Sequence, residues 1–133
     1  MQYVVGVLLF LTAACPAAAR EVYYSDTCVE QESGDVAGYV VKLSDDGPRP
    51  VISLTWSEGS LKGPVQANVT EYDRTSGRLS FSAKTEWGEF SFQGNVGLHV
   101  IDGELLSPFD NPTHIRLEER SPKLANEPAA ECK

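Results

Sequence analysis

The residues that most often carry enzymatic or metal chemistry are present in this chain, but none stands in a pattern typical of a reactive site. The two histidines, His99 and His114, have no second histidine or cysteine at a ligand spacing such as HxxxH. No serine lies in a GxSxG motif. We therefore expect a protein that is not an enzyme, has no catalytic residues, and uses neither a metal ion nor a cofactor.

Acidic residues occur in two arrangements of interest, as possible calcium ligands and as a pair of neighbouring carboxylates. Residues 45–47 (Asp-Asp-Gly) and 110–111 (Asp-Asn) offer oxygen ligands for calcium, yet neither continues as an EF-hand loop and both have the composition of turns. Asp102 and Glu104 alternate with apolar residues, so both are predicted to point outward into water. We interpret these acids as turn and surface residues.

Predicted loops supply the candidates for contact with another molecule. Trp87 lies in a turn, where an indole contributes little unless it contacts a partner or covers the end of the core as a lid. Phe109 lies in a second, proline-containing loop, and Asp46 and Arg49 lie in a third. We predict Trp87, Asp46, Arg49 and Phe109 as possible partner or ligand contacts.

One motif predicts a covalent modification. Asn68, Val69 and Thr70 match the acceptor sequence for N-linked glycosylation, and the strand pattern places Asn68 on an outward face. Asn68 is therefore a possible glycosylation site if the host is a eukaryote, and only a polar strand residue if the host is a bacterium.

The elements that would position these residues are strands, because apolar and polar residues alternate with a period of two along most of the chain. The clearest alternation covers residues 78–106, where Phe81, Phe90 and Phe92 fall on apolar faces. Trp56 likewise continues an apolar face and is predicted to lie in the core. Eight strands are predicted, at residues 21–25, 35–44, 51–57, 61–72, 78–84, 89–96, 101–105 and 114–118.

Eight short strands joined by turns predict an all-β domain, either an up-and-down meander barrel or a strongly curled sandwich. Glycines at positions 38, 63, 94 and 103 lie inside predicted strands, where glycine lets a strand coil or gives room to a neighbouring side chain. We predict a single barrel-like domain over residues 20–120 and a polar C-terminal tail over residues 121–133.

The N-terminal segment predicts export. Residues 4–11 form an apolar run too short to span a bilayer, and small residues follow it up to Ala19, so residues 1–19 are interpreted as a signal peptide cleaved after Ala19. Residues 12–15 also resemble the lipobox of bacterial lipoproteins, although Thr12 stands where that pattern usually has leucine. A lipidated Cys15 is the alternative to a secreted or periplasmic protein.

Two cysteines remain after the signal segment, and they allow one pairing. An oxidising compartment favours a disulfide between Cys28 and Cys132, which would tether the C-terminal tail. A reactive or metal-binding pair is not indicated, because the two residues lie far apart and lack CxxC spacing.

The strong acidity limits the partners. The formal net charge is -8, and the signal segment contributes no charged side chain. Such a protein is a poor ligand for nucleic acid or for an anionic membrane. We expect a monomeric interaction module that binds or inhibits another extracytoplasmic protein. The alternatives are a carrier of a small apolar ligand in the barrel interior and, less favoured, an enzyme.

Cleavage of the signal peptide and formation of the disulfide together predict the mass of the mature protein. The protein purified from its own host should begin at Arg20, and its intact mass should be about two hydrogens below that of the reduced chain. Intact mass spectrometry with and without reductant measures both quantities. An N-terminus at a lipidated Cys15 would contradict the predicted cleavage.

Overall fold

The computed structural model describes residues 20–128 and 130–133, which contain no helix and are about 60% strand. The alternating sequence pattern accounts for the strands, since one side of most of them is buried. The strands are β1 (Glu21–Ser25), β2 (Cys28–Val29), β3 (Val36–Ala37), β4 (Tyr39–Ser44), β5 (Val51–Ser57), β6 (Leu61–Gln66), β7 (Asn68–Tyr72), β8 (Arg78–Thr85), β9 (Gly88–Val96), β10 (Val100–Leu106), β11 (Thr113–Arg120) and β12 (Ala130–Glu131).

Nine of these strands form one antiparallel sheet that is nearly closed into a barrel, in the order β6-β5-β4-β1-β11-β10-β9-β8-β7. The two strands at the ends of this order, β6 and β7, are consecutive in the chain and are separated only by Ala67. One bent segment therefore pairs with β5 through its first half and with β8 through its second half. The prediction of an all-β meander is confirmed.

Two of the predicted strands are interrupted. The predicted strand at residues 61–72 is divided at Ala67, and the one at residues 35–44 is divided at Gly38. Gly38 has a φ of +112°, and a Cβ there would lie 2.7 Å from Asp26 Oδ1 and 2.8 Å from Thr27 Cα. Because a strand needs a negative φ, Gly38 separates β3 from β4 and does not lie inside a strand. Another residue type would be strained at this position.

The barrel interior is filled by side chains around a cross-strand pair of glycines. Gly94 on β9 lies opposite Gly103 on β10, and a Cβ on either would lie within 2.8 Å of Phe92 Cζ. The Phe92 ring occupies this space and stacks on Phe81 with 5.1 Å between ring centroids. The buried cluster comprises Tyr24, Val41, Leu43, Ile52, Leu54, Trp56, Ala67, Leu79, Phe81, Ala83, Phe90, Phe92, Ile101, Leu105, Ile115 and Leu117.

The segment after β11 lies against the outside of the barrel. Val40 is on the outward side of β4 but is buried, and Asn126 lies beside it around a small cavity. Ala125 is fully buried, and the carbonyl of Glu127 accepts a hydrogen bond from Arg120 Nη1 at 3.1 Å. Both faces of β4 are therefore covered, which explains the apolar residues on both sides of this strand.

A disulfide fixes the end of this segment. Strand β12 pairs in parallel with β2, and β2 pairs with β3, in a separate three-stranded sheet. The predicted bond between Cys28 and Cys132 is formed and spans 104 positions in sequence. Constraint of the unfolded chain by a loop of this length can stabilise a fold by up to about 4–5 kcal/mol.

Gly94→Ala should lower the free energy of unfolding by about 1–3 kcal/mol, because the new methyl group would lie 2.2 Å from the Asp102 carbonyl oxygen and 2.7 Å from Phe92 Cζ. Urea unfolding followed by far-UV circular dichroism measures the change. Gly47→Ala is the matched control, since a Cβ there would have its nearest neighbour at 3.8 Å. Its stability should stay within about 0.5 kcal/mol of wild type, and equal losses for both variants would contradict this packing.

Candidate functional site

The predicted contact residues lie at two different ends of the barrel. Strand direction alternates along the meander, so successive connections alternate between the two ends. The end that we call the aromatic end carries the connections at residues 26–38, 58–60, 86–87 and 107–112. The opposite end carries the connections at residues 45–50, 73–77 and 97–99. Trp87 and Phe109 therefore lie together at the aromatic end, whereas Asp46 and Arg49 are exposed at the opposite end.

Five aromatic rings pack together at the aromatic end. Phe90 is fully buried, and its ring centroid lies 5.3 Å from Trp56, 6.2 Å from Phe109 and 6.4 Å from Tyr39. Trp87 meets Trp56 edge to face, with 6.0 Å between centroids and 74° between planes. The outermost rings remain in contact with water, since Trp87 is 46% exposed and Phe109 is 48% exposed. We call these two half-exposed side chains the aromatic patch.

Local hydrogen bonds and a glycine fix the turn that carries Trp87. The Thr85 hydroxyl oxygen accepts a hydrogen bond from the Trp87 amide at 3.1 Å and donates one to the Gly88 carbonyl at 2.9 Å. Gly88 has a φ of +133°, and a Cβ there would lie 2.6 Å from the Pro108 side chain. The turn thus sits directly against the loop that carries Phe109.

The loop that carries Phe109 has its own internal support. The buried Ser107 hydroxyl oxygen accepts hydrogen bonds from the amides of Phe109 at 3.2 Å and Asp110 at 3.0 Å. This is the local pattern by which serine stabilises a turn. At the end of the preceding strand, Leu106 is also exposed and adds apolar surface to this end. Leu106 was not among the contact residues predicted from the sequence, although it directly precedes Ser107 of the predicted loop.

Exposed carboxylates outnumber lysines near the aromatic patch, where Lys84 lies opposite Glu89, and we call four of these carboxylates the acidic rim. Glu58, Glu86, Glu89 and Asp110 are all exposed in or next to the connections at this end. Burial raises the pKa of the Tyr39 hydroxyl, and the negative charges of Asp110 and Asp26 raise it further. The Tyr39 hydroxyl therefore lies in a negative electrostatic potential. A negative potential at this end favours cationic groups on a molecule that approaches it.

The opposite end contains a polar cluster that the sequence did not predict. Asp45 accepts hydrogen bonds from Arg74 Nη2 at 2.5 Å and from the Tyr72 hydroxyl at 3.2 Å. Arg74 also lies over the Tyr72 ring, 5.3 Å from its centroid. The hydrogen bond from Arg74 holds the pKa of Asp45 below its ordinary value. Next to this cluster is a cavity of about 240 Å³, lined by Arg20, Val22, Tyr24, Leu43, Asp45, Tyr72 and Val96.

The remaining candidates are spread over the surface. Asn68 lies on β7 opposite Ser82 of β8. Its side chain is exposed, and a glycosylated asparagine must be exposed. His114 Nε2 lies 3.1 Å from Asp102 Oδ1, and His99 Nδ1 contacts Glu119, both at exposed positions. Within residues 20–128 and 130–133, no three His, Cys, Asp or Glu side chains are grouped closely enough to hold a metal ion.

The disulfide is compatible with an oxidising extracytoplasmic location. The predicted signal peptide and Cys15 lie outside the described residues. No helix in the described part of the chain is long and apolar enough to cross a membrane.

The Asp45 cluster predicts a dependence of stability on pH. The pKa of Asp45 is lower in the folded state than in the unfolded state, where it is about 3.9. Asp45 therefore stabilises the fold above that pH and ceases to do so as the pH falls through its folded value. Asp45→Asn should be less stable than wild type at pH 7, and the difference should decrease as the pH falls below the unfolded pKa of about 3.9 towards the folded value.

Urea unfolding at pH 7 and pH 3 tests this difference. Asp46→Asn is the control, because Asp46 is an exposed neighbour in the same loop and should leave stability unchanged at both values. A deficit of Asp45→Asn that persists unchanged at pH 3 would contradict the proposed role of the charge.

Comparison with protein-family models, curated proteins and solved structures found no match for this chain. Its function is therefore inferred from its own residues and their arrangement.

Proposed function

We propose that this protein is an exported interaction module that binds another extracytoplasmic protein through the aromatic patch. One observation carries the proposal: Trp87 and Phe109 are each about half exposed, yet both rings are held against the buried rings of Trp56 and Phe90. Tryptophan is prominent among the residues that dominate binding energy at protein interfaces, and a ring already fixed in position loses little entropy on binding.

The acidic rim identifies the chemistry of the partner. Glu58, Glu86, Glu89 and Asp110 would repel an acidic surface and attract a basic one. The partner surface should therefore carry an apolar side chain that packs on Trp87 and Phe109, with lysine or arginine around it. Inhibition of a secreted enzyme is one activity that such binding would produce.

The interior supports this proposal over a ligand carrier. With β6 and β7 counted as one bent strand, the nearly closed sheet has eight strands. A barrel of eight strands is just wide enough for side chains to fill, and here Phe81, Phe92 and their neighbours occupy the centre. The cavity at the opposite end favours the second candidate, a carrier of a small apolar ligand, because Val22, Tyr24 and Leu43 line it. Native mass spectrometry of protein from its own host would detect a retained ligand if the second candidate is correct.

The proposed setting follows from the disulfide and the charge. A secreted or periplasmic location supplies the oxidising conditions that maintain the bond between Cys28 and Cys132. A net charge of -8 keeps the protein soluble and favours a monomer without a nucleic-acid partner. We do not propose an enzymatic activity, since no nucleophile, base and acid stand in a sequence pattern typical of a reactive site.

Removal of the patch should weaken binding. Immobilised wild-type protein should recover a stoichiometric partner from the secreted or periplasmic fraction of its host, and the double variant Trp87→Ala/Phe109→Ala should bind that partner at least about tenfold more weakly. Surface plasmon resonance with the recovered partner measures the ratio. Circular dichroism verifies that the variant is folded.

Asp46→Ala/Arg49→Ala is the matched control, because it changes two exposed residues at the opposite end. This variant should bind as wild type does. Loss of binding in this control, with retention in the patch variant, would place the interface at the wrong end and refute the proposal.

A further inference from the structure

The cavity of about 240 Å³ lies among inward-facing side chains, at the end of the barrel opposite the aromatic patch. Val22 on β1 is the register partner of Leu43 on β4, and Val96 and Tyr72 also line the cavity. Val22, Val96 and Tyr72 are partly buried against the core cluster. The space between them is smaller than the roughly 300–1,000 Å³ of sites for drug-sized molecules, so a molecule that fits it must be small.

Tyr24 directs an unpaired hydroxyl into this cavity. Tyr24 is only 4% exposed, yet its hydroxyl has no hydrogen-bond partner among the described residues. The oxygen is not fully enclosed, because Trp56 Nε1 is the one enclosed and unpaired side-chain nitrogen or oxygen in this part of the chain. Since Tyr24 lines the cavity, its hydroxyl borders that open space. Buried polar groups are nearly always paired, so the hydroxyl can be satisfied by a molecule in the cavity.

The other polar side chains at the cavity are already paired or lie at its outer edge. The Tyr72 hydroxyl and Arg74 Nη2 both donate hydrogen bonds to the Asp45 carboxylate. Arg20 is exposed, and its backbone carbonyl accepts a hydrogen bond from the Asp45 amide at 3.4 Å. Tyr24 is therefore the group of this lining that is both buried and available to bind a ligand.

Charges of both signs near Tyr24 favour an uncharged ligand. Burial raises the pKa of the Tyr24 hydroxyl, the charge of Glu119 on the neighbouring strand β11 raises it further, and Arg20 lowers it. The hydroxyl therefore stays protonated at neutral pH and can donate a hydrogen bond. An anion would be repelled by Glu119 and a cation by Arg20, and either ion would lose part of its hydration in this site.

We propose that this cavity binds a small uncharged molecule with an apolar body and a carbonyl oxygen that accepts a hydrogen bond from the Tyr24 hydroxyl. The apolar body packs against Val22, Leu43 and Val96. The site is separate from the aromatic patch, and the inference specifies the ligand of the second candidate function.

Small ketones test this chemistry. Acetophenone, cyclohexanone and methyl isobutyl ketone are each titrated into the isotope-labelled protein, and the backbone amide resonances are followed by NMR. At least one ketone should cause saturable shifts centred on the amides of Val22, Leu43 and Val96. The matched alkene, with a methylene group in place of the carbonyl oxygen, should bind about fivefold more weakly, as expected for the net loss of one hydrogen bond.

Tyr24→Phe removes the hydroxyl and keeps the ring. This variant should bind the ketone and its matched alkene equally. It should also unfold at the same urea concentration as wild type, because the hydroxyl has no partner within the fold to lose. Tyr23→Phe is the matched control, since Tyr23 is the adjacent residue of β1 and lines a different cavity with Val40. The control should keep the fivefold preference for the ketone.

Three results would overturn the inference. The first is no saturable shift with any of the ketones, which would mean that the cavity holds only water. The second is an equal preference for the ketone in wild type and Tyr24→Phe. The third is loss of ketone binding in Trp87→Ala/Phe109→Ala, because that variant changes the other end of the barrel and should bind the ketone as wild type does. Partner binding through the aromatic patch is measured separately, so failure of the ketone test leaves that proposal standing.

Discussion

The contact on which the structure depends is that of the Phe92 ring with the glycine pair at the centre of the barrel. Gly94 and Gly103 face each other across β9 and β10, and the ring fills the space that two side chains would have taken. Strands that coil at glycine can close a sheet, and a ring at that point supplies the core that a small closed sheet requires. The same face of β9 carries Phe90 two residues earlier, so the packing of Phe92 also positions the base of the aromatic end.

Much of this architecture could be predicted from the sequence because strand faces are a local property. The period of two placed Phe81, Phe90 and Phe92 on apolar faces, and all three are buried. Trp56 was predicted to be a core residue for the same reason, and it is buried. The glycines at 94 and 103 were predicted to coil a strand or to give room to a side chain, and the Phe92 ring does occupy that room.

What could not be predicted depends on contacts between distant residues. Trp87 and Phe109 come together only because two separate connections meet through Gly88 and Pro108. The pairing of Asp45 with Arg74 likewise joins two turns that no local pattern relates. The small sheet of β2, β3 and β12 was missed because two-residue strands are too short to show alternation. The separation of Asp46 and Arg49 from Trp87, by contrast, follows from the predicted meander, because successive connections of a meander alternate between its two ends.

The position of β1 between β4 and β11 has a consequence for how the chain folds. A chain that emerges gradually can pair β1 with β4 early, but the other edge of β1 has no partner until β11 has appeared. An open strand edge next to apolar residues is a site for intermolecular pairing, and such long-range closure is intrinsically slow. Until β11 has emerged, one edge of β1 in a nascent chain is therefore open to intermolecular strand pairing.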